Sequence, residues 1–167
     1  MDILLTKNLT KRYGKGDIEV LAVDAMDLRI DKREIVAITG TSGSGKSTLL
    51  HMLGGVETPT SGEVWVDGED IYTLKDDERS SVRRRKIGFV FQNYNLIPIL
   101  TAEENIISPI LLDKKKPEAE YIAELLEMLN LTKWKDHLPN QLSGGQQQRV
   151  AIGRALANHP RIILADE

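Results

Sequence analysis

The sequence predicts an α/β fold that carries an added antiparallel sheet and a helical insert. Residues 35–53 predict a buried strand, a glycine-rich loop and a helix, in that order. Segments on both sides of this unit alternate apolar and charged residues, as half-exposed antiparallel strands do. From about residue 92 to residue 140 apolar positions recur with helical spacing, and a last apolar run follows at residues 162–165.

Short alternating segments predict strands in the first third of the chain. Three of them come before the glycine-rich loop, at Ile3–Leu5, Glu19–Ala22 and Met26–Ile30. A turn is expected at residues 14–17, and a further antiparallel strand at residues 63–68. Ile87–Phe91 is a continuous apolar run, which predicts a strand buried on both faces. The basic cluster at residues 83–86 predicts a solvated loop or helix end before that strand.

Helices are predicted for the middle of the chain. Thr101 and Glu104 have the spacing of a capping box, which opens one helix. Pro117 suits the first position of a second helix. The apolar face of that helix is Ile122, Leu125, Leu126 and Leu129, and the helix ends near Asn130. A third helix is expected over residues 144–158, because His159-Pro160 stops its apolar pattern.

The glycine-rich loop is the segment that carries the most chemistry. It satisfies G-x-x-x-x-G-K-[ST] at every fixed position, and its residues are Gly40, Thr41, Ser42, Gly43, Ser44, Gly45, Lys46, Ser47 and Thr48. Glycines let successive backbone N–H groups approach anionic oxygens. Lys46 can reach the β- and γ-phosphates of a nucleotide, and the Ser47 hydroxyl is placed for Mg²⁺. A glycine- and serine-rich turn without a ligand is the alternative. We call residues 40–48 the phosphate loop.

Composition excludes several other classes of protein. The chain is 41% hydrophobic and 28% charged, as ordinary globular proteins are. It has no cysteine, so neither a disulfide framework nor a thiolate metal site is expected. The formal net charge of −3 argues against bulk binding of nucleic acid. No apolar stretch is long enough to span a bilayer, and no secretory leader is expected.

A second anion-binding candidate lies at residues 142–146, which we call the signature segment. By itself, Ser143-Gly144-Gly145 predicts a capped helix start whose N–H groups could also bind a phosphate oxygen. The sequence Leu142-Ser143-Gly144-Gly145-Gln146 then carries a family resemblance when it is taken with the phosphate loop. The chain resembles the ATP-binding cassette (ABC) family, the nucleotide-hydrolysing subunits of membrane transporters.

The resemblance extends over essentially the whole chain. Tyr13 falls where the family stacks an aromatic ring on adenine, although a tyrosine at a core edge is the alternative. Gln92 matches the glutamine of the family's Q-loop, although it could be an ordinary loop residue. Residues 95–105 resemble the macrolide-export and lipoprotein-release subgroup. The implied fold is a P-loop NTPase: a RecA-like core over residues 1–92 and 143–167, with an antiparallel β subdomain, and a helical subdomain over residues 93–142.

The resemblance implies roles for the acidic end of the chain. Asp166, at the carboxyl end of a strand, would hold Mg²⁺ through water, and Glu167 would be the general base that orients the attacking water. Gln92 would contact Mg²⁺ and water, and Lys46 would stabilise the transferred phosphoryl group. Thr48 would support the α-phosphate. The cofactors implied are ATP and Mg²⁺.

The family also implies partners. Two cassettes pair head to tail, so that Ser143, Gly144, Gly145 and Gln146 of one cap the γ-phosphate bound by the other. A membrane permease would be the second partner, which places the chain in the cytoplasm on the inner face of the membrane. Apolar side chains at residues 93–100 could form the surface for it, or could pack within the helical insert. No nucleic-acid partner is expected.

Two further expectations concern the limits of the resemblance. Family members continue past the acidic strand, so the chain is expected to be a truncated product that lacks the C-terminal strands and binds nucleotide better than it hydrolyses it. None of His51, His137 and His159 matches the family's switch histidine, and all three are expected to be structural. The alternative functions are cassette ATPases that act in DNA repair, cell division or translation.

Overall fold

The regular structure in the first part of the chain is mainly antiparallel strand, and that in the second part is mainly helix. The computed structural model describes residues 2–14 and 18–166. They fall into two units, Met1–Arg83 and Arg84–Glu167. The elements in chain order are β1 (Asp2–Tyr13), β2 (Val20–Asp31), α1 (Lys46–Leu53), β3 (Ser61–Val66), β4 (Glu69–Asp70), α2 (Asp76–Lys86), β5 (Ile87–Val90), α3 (Ala102–Leu112), α4 (Ala119–Met128), α5 (Gly144–Leu156) and β6 (Ile162–Ala165).

The first unit contains a four-stranded antiparallel sheet with the order β2-β1-β3-β4. The alternation predicted for residues 63–68 is confirmed, since Val64 and Val66 are buried and Trp65 between them is only half-buried. The prediction of separate strands at residues 19–22 and 26–30 is wrong. They form one strand, β2, whose register against β1 shifts near Met26 and Val23. Ala25 has φ 39 there, and such a bulge lets a strand continue through an irregular residue.

The predicted buried strand at residues 35–38 is also wrong. The segment has no regular secondary structure, and Ile35 is 98% exposed. An apolar run can form a strand only where a neighbouring strand accepts its backbone hydrogen bonds. Among the described residues, no strand is paired with this segment. The structure therefore contains the predicted loop and helix, but residues 35–38 before them are not a strand.

The second unit is built around a close contact between α5 and a two-stranded parallel sheet. Strands β5 and β6 pair from Ile87 opposite Ile162 to Val90 opposite Ala165, so both predicted strands are confirmed. A Cβ at Gly88 would lie less than 3.0 Å from the carbonyl oxygen of Ala155 in α5. Only glycine allows this approach of a helix to a strand, and Gly88 fixes their separation.

The helical insert has its own apolar core. The predicted capping box is confirmed, because the Thr101 hydroxyl accepts a hydrogen bond from Glu104 N (3.3 Å) and Thr101 N donates to the Glu104 carboxylate (2.8 Å). The second predicted helix begins at Ala119 rather than at Pro117, because Glu118 keeps an extended conformation and is the N-cap. The buried core residues of the insert include Ile106, Ile110, Ile122, Leu125, Leu126 and Leu131, and Val150 of α5 packs with them.

The basic cluster at residues 83–86 is the end of helix α2, directly before β5, as predicted. The Asp113 carboxylate at the end of α3 accepts hydrogen bonds from Arg85 Nε (2.9 Å) and lies 3.0 Å from Lys115 Nζ and 3.9 Å from Arg84 Nε. The Asp113 side chain is only 1% exposed. This pairing ties the start of β5 to the end of α3.

We predict that Asp113 makes the second unit sensitive to acid. Hydrogen bonds from Arg85 and Lys115 lower the pKa of the Asp113 carboxyl to about 2. The stabilisation is therefore present above the unfolded pKa of about 4 and is lost as the pH falls through the folded pKa. The free energy of unfolding of the wild type should exceed that of Asp113→Asn most at pH 5 and above, and the two should converge towards pH 2. Denaturant titrations at several pH values measure this, and a difference that does not depend on pH would contradict it.

Candidate functional site

The phosphate loop leads directly into helix α1, as its sequence predicts. Gly45 is the N-cap of the helix and has φ 87, in the left-handed region. A Cβ at Gly45 would collide with the carbonyl oxygen of Ala22 in β2, so no other residue fits. Gly43 has φ 77 with open space around it. Because Gly45 has no side chain, α1 has no side-chain hydrogen bond at its N-cap.

Lys46 is held over the loop by the loop's own backbone. Its ammonium group donates to the carbonyl oxygens of Gly40 (2.9 Å) and Thr41 (2.8 Å). A hydrogen bond from Ser44 N to Thr41 O (3.2 Å) closes the turn beneath it. The loop therefore places a positive charge beside the positive end of a helix dipole.

Ser47 and Thr48 are in the first turn of α1 and are both half-buried. The following residues Leu49, Leu50, Met52 and Leu53 are buried, and they anchor the helix in the first unit. The position of the Ser47 hydroxyl is consequently fixed by a rigid helix rather than by a loop.

Gln92 and Asp166 lie at the same edge of the parallel sheet in the second unit. Val90 and Ala165 form the last residue pair of β5 and β6, and both predicted residues follow that pair. Asp166 N donates to Val90 O (3.0 Å), and Asp166 is 6% exposed. Gln92 is exposed. The carboxyl ends of parallel strands are where ligands bind in open α/β sheets. Glu167, predicted to be the base, lies outside the described residues.

The signature segment forms the start of α5. The Ser143 hydroxyl accepts from Gln146 N (3.3 Å), and Ser143 N donates to the Gln146 side-chain oxygen (2.7 Å), so the two side chains form a capping box. Leu142 is buried, whereas Ser143, Gly144 and Gly145 are exposed. The buried leucine holds the segment in place, and the exposed residues present it at the surface.

Tyr13, predicted to bind adenine, and two of the histidines predicted to be structural each lie close to another side chain. Tyr13 is 42% exposed, and Lys11 Nζ lies 5.0 Å from the centre of its ring. His159 stacks on Tyr121 with 4.0 Å between ring centres, and His137 meets Trp134 edge to face. In residues 2–14 and 18–166, no three His, Asp or Glu side chains form a metal-binding group by themselves.

Two residues that sequence reasoning missed hold the loop that follows Gln92. Arg154 on α5 donates to the carbonyl oxygens of Tyr94 (2.7 Å) and Asn95 (2.6 Å). Tyr94 and Asn95 both have positive φ, 59 and 46, so this backbone turn needs support. Burial lowers the pKa of the Arg154 guanidinium, which nevertheless stays charged at neutral pH. The one sequence signal for this role is that an arginine interrupts an otherwise apolar face of α5.

Asn105 is the other missed residue. It is fully buried in α3, where its amide donates to the carbonyl oxygens of Ile97 (3.1 Å), Leu100 (2.9 Å) and Thr101 (3.0 Å). Its side-chain oxygen accepts from Ile97 N (2.8 Å). A buried asparagine with this number of backbone partners fixes the path of residues 97–101.

The apolar residues at positions 93–100 divide into two sets. Tyr94 and Leu96 pack against the apolar core of the second unit. Ile97 and Ile99 are 39% and 81% exposed. Tyr94 and Leu96 are therefore packing residues, whereas the surface for a membrane partner stays a prediction for Ile97 and Ile99.

The phosphate loop depends on its glycines and leads into α1, and the parallel strands β5 and β6 lead to Gln92 and Asp166. These features are those of a P-loop ATPase domain. A model of the ABC transporter family matches residues 23–167. The chain belongs to this family, as an ABC ATP-binding domain, and the resemblance found in the sequence is confirmed. None of the helices in residues 2–14 and 18–166 is both long enough and apolar enough to cross a membrane.

Individual relatives agree with this assignment. The chain is 49% identical over 167 residues to an ABC transporter ATP-binding protein, MJ0796, from Methanocaldococcus jannaschii, an alignment that covers 96% of this chain and 71% of the relative. A dimeric post-hydrolysis structure of MJ0796 bound to ADP and Pi matches with a TM-score of 0.91 at 48% identity, covering 98% of this chain and 73% of that one. A second dimeric structure of the same cassette gives a TM-score of 0.90 over the same shares.

We predict that Arg154 keeps the backbone turn at Tyr94 and Asn95 ordered. Replacement by leucine removes both hydrogen bonds, which should raise amide hydrogen exchange of residues 93–97 by about tenfold or more. Hydrogen-exchange mass spectrometry measures this. The exposed Gln148→Leu on the same helix is the matched control and should leave exchange unchanged. Equal protection in the wild type and Arg154→Leu would contradict the role.

Proposed function

We propose that this chain is the ATP-binding and ATP-hydrolysing subunit of an ABC membrane transporter. Two copies would pair head to tail with ATP and Mg²⁺ between them, and the pair would act on a membrane permease at the inner face of the membrane. The observation that supports this best is the signature segment, whose exposed glycines are not needed by the chain's own fold.

The glycines of the signature segment have neither a steric nor a backbone constraint that requires glycine. A Cβ at Gly144 would meet nothing closer than 3.9 Å, and one at Gly145 nothing closer than 3.8 Å. Neither residue has a positive φ. Glycine at both positions therefore serves the close approach of something outside the chain. The N-terminal N–H groups of α5 suit an anion such as the γ-phosphate held by a second copy.

The phosphate loop would hold the nucleotide through its backbone N–H groups, with Lys46 on the β- and γ-phosphates and Tyr13 against adenine. Mg²⁺ prefers hard oxygen ligands, and Ser47 in the first unit and the buried Asp166 in the second each offer one. When bound, Mg²⁺ would neutralise charge that develops on the phosphates.

Hydrolysis would need a water positioned in line with the γ-phosphate. Glu167 is proposed as the base that orients it, with Gln92 as a further contact of water and metal. Gln92 follows β5 at the same edge of the sheet as Asp166, and Glu167 is the next residue after Asp166 in the sequence. The relative MJ0796, bound to ADP and Pi as a dimer, supports hydrolysis at such a paired site.

The contact with a membrane subunit is proposed for the loop of residues 97–100. Asn105 fixes its backbone, and Ile99 projects from it with 81% of its surface exposed. A rigid exposed isoleucine gives a partner helix an apolar anchor that loses little entropy on binding. The finer resemblance to the macrolide-export and lipoprotein-release subgroup remains a prediction.

We expect Gly144→Ala to weaken dimerisation of the chain without lowering its stability. The new methyl group has room within the chain, so the free energy of unfolding should not fall. It occupies the surface offered to the neighbour's nucleotide, so dimerisation with Mg²⁺ and a non-hydrolysable ATP analogue should weaken by about tenfold or more. Analytical ultracentrifugation with and without nucleotide measures the dimer.

Lys46→Ala is the companion variant for the nucleotide itself. It should lose nucleotide affinity before any pairing occurs, which equilibrium binding of a fluorescent ATP analogue to the monomer detects. Gly144→Ala should bind that analogue normally as a monomer. Nucleotide binding that survives Lys46→Ala, or a dimer that tolerates Gly144→Ala, would argue against the proposed paired site.

The proposed permease contact predicts that Ile99→Asp weakens binding of the chain to a membrane subunit. A membrane protein with several spanning helices should be recovered with the tagged wild-type chain from detergent extracts, and recovery should fall by at least about tenfold in the variant. Met128→Asp is the matched control, since Met128 is 71% exposed in the same unit but outside the loop. Salt-sensitive recovery of DNA or ribosomes instead would favour a cassette that does not act in transport.

A further inference from the structure

A cluster of positive charge stands out in a chain whose formal net charge is −3. Arg84 and Arg85 at the end of α2 meet the loop after α3, which contains Lys114, Lys115 and Lys116. Asp113 lies between the two segments and pairs with Arg84, Arg85 and Lys115. We call the five cationic side chains the basic patch.

One carboxylate cannot neutralise this patch. The Asp113 side chain is 1% exposed and is already shared by three cations, whereas those of Arg85 and Lys115 are 55% and 59% exposed. Lys114 and Lys116 are exposed and have no ion pair with the residues that the structure describes. The surface therefore keeps a strong positive potential, which favours an anionic partner.

Apolar side chains lie next to the basic patch. Leu111 and Leu112, the last residues of α3, are 52% and 69% exposed. A small anion or a nucleic-acid backbone would gain nothing from two exposed leucines. A bilayer with anionic headgroups would satisfy both parts of the surface, since cations bind its headgroup layer and leucines enter the acyl boundary beneath it.

The position of the patch separates it from the nucleotide chemistry. It adjoins the amino end of β5, where Arg161 N donates to Lys86 O (2.9 Å) and Asn158 donates to Arg84 O (2.8 Å). Gln92 and Asp166 follow the opposite ends of the strands. The loop of residues 97–100 precedes α3 and the patch follows it, which puts the two surfaces about 16 Å apart along the helix axis.

We propose that the basic patch, together with Leu111 and Leu112, binds directly to an anionic phospholipid bilayer. Helix α3 would then lie along the membrane surface, with its first residues beside a protein partner and its last residues on lipid. The lipid contact rests on charge and exposure within the second unit and does not depend on nucleotide binding or on the permease.

The test is co-sedimentation of the whole chain with vesicles of phosphatidylcholine alone or with about 30 mol% phosphatidylglycerol. Binding should require the anionic lipid and should weaken when salt rises from about 0.05 to 0.5 M. Lys114→Glu with Lys116→Glu should lower partitioning by about 30-fold or more, because each basic residue at such a surface contributes about fivefold. Leu112→Ser should lower it at both salt concentrations.

The matched control is Lys75→Glu with Lys133→Glu, which changes the net charge equally at exposed lysines outside the patch. It should bind the vesicles nearly as the wild type does. Binding of a fluorescent ATP analogue to the patch variant should stay unchanged, so failure here is distinguishable from failure of the proposed ATPase function. Equal loss in both double variants, no dependence on anionic lipid, or capture of polyglutamate in preference to vesicles would overturn the proposal.

Discussion

The close approach of helix α5 to strand β5 is the contact on which the second unit depends. Gly88 lets the backbone of α5 come against the strand near Ala155, and Gly153 on α5 leaves room for Ile106 of α3, which would lie 2.9 Å from a Cβ there. One helix is thus pressed between a sheet and a second helix. Its N-terminus presents the signature segment, and its side chain Arg154 reaches the turn after Gln92. A shift of α5 would move every one of these features together.

Two glycine-rich segments look alike in the sequence and differ in what requires their glycines. In the phosphate loop, the fold of the chain itself requires Gly45, since its φ and the nearby carbonyl oxygen of Ala22 exclude a side chain. In the signature segment, no backbone angle or neighbour within the chain requires Gly144 or Gly145. The first kind of glycine is needed for the shape of the chain itself, and the second leaves an open surface at the start of α5.

The sequence predicts those parts of the fold that depend on local chemistry. The capping boxes at Thr101 and Ser143 and the strands β3, β5 and β6 follow from side-chain spacing, and the structure contains them. The apolar run at residues 35–38 failed as a strand because a strand depends on neighbours that the local sequence does not reveal. The interruption in β2 was mistaken for a break between strands because a bulge and a turn use similar residues.

The residues of the candidate site also differ in whether local sequence chemistry predicts them. Motif residues such as Lys46 and Ser143 could be predicted because their chemistry is tied to fixed spacing. Arg154 and Asn105 could not, since each acts on backbone atoms distant in sequence that only folding brings within reach. Sequence patterns thus identify residues of a fixed motif more readily than residues that hold the backbone beneath it.

The hydrogen bonds of Asn105 have an evolutionary consequence for the loop of residues 97–100. They involve only backbone atoms of that loop, so its path does not depend on which side chains it carries. Ile97 and Ile99 can therefore be replaced by other residues without a change in the backbone path of the loop. With the proposed permease contact at this loop, related chains could acquire new membrane subunits through one or two substitutions there, without a change in the phosphate loop.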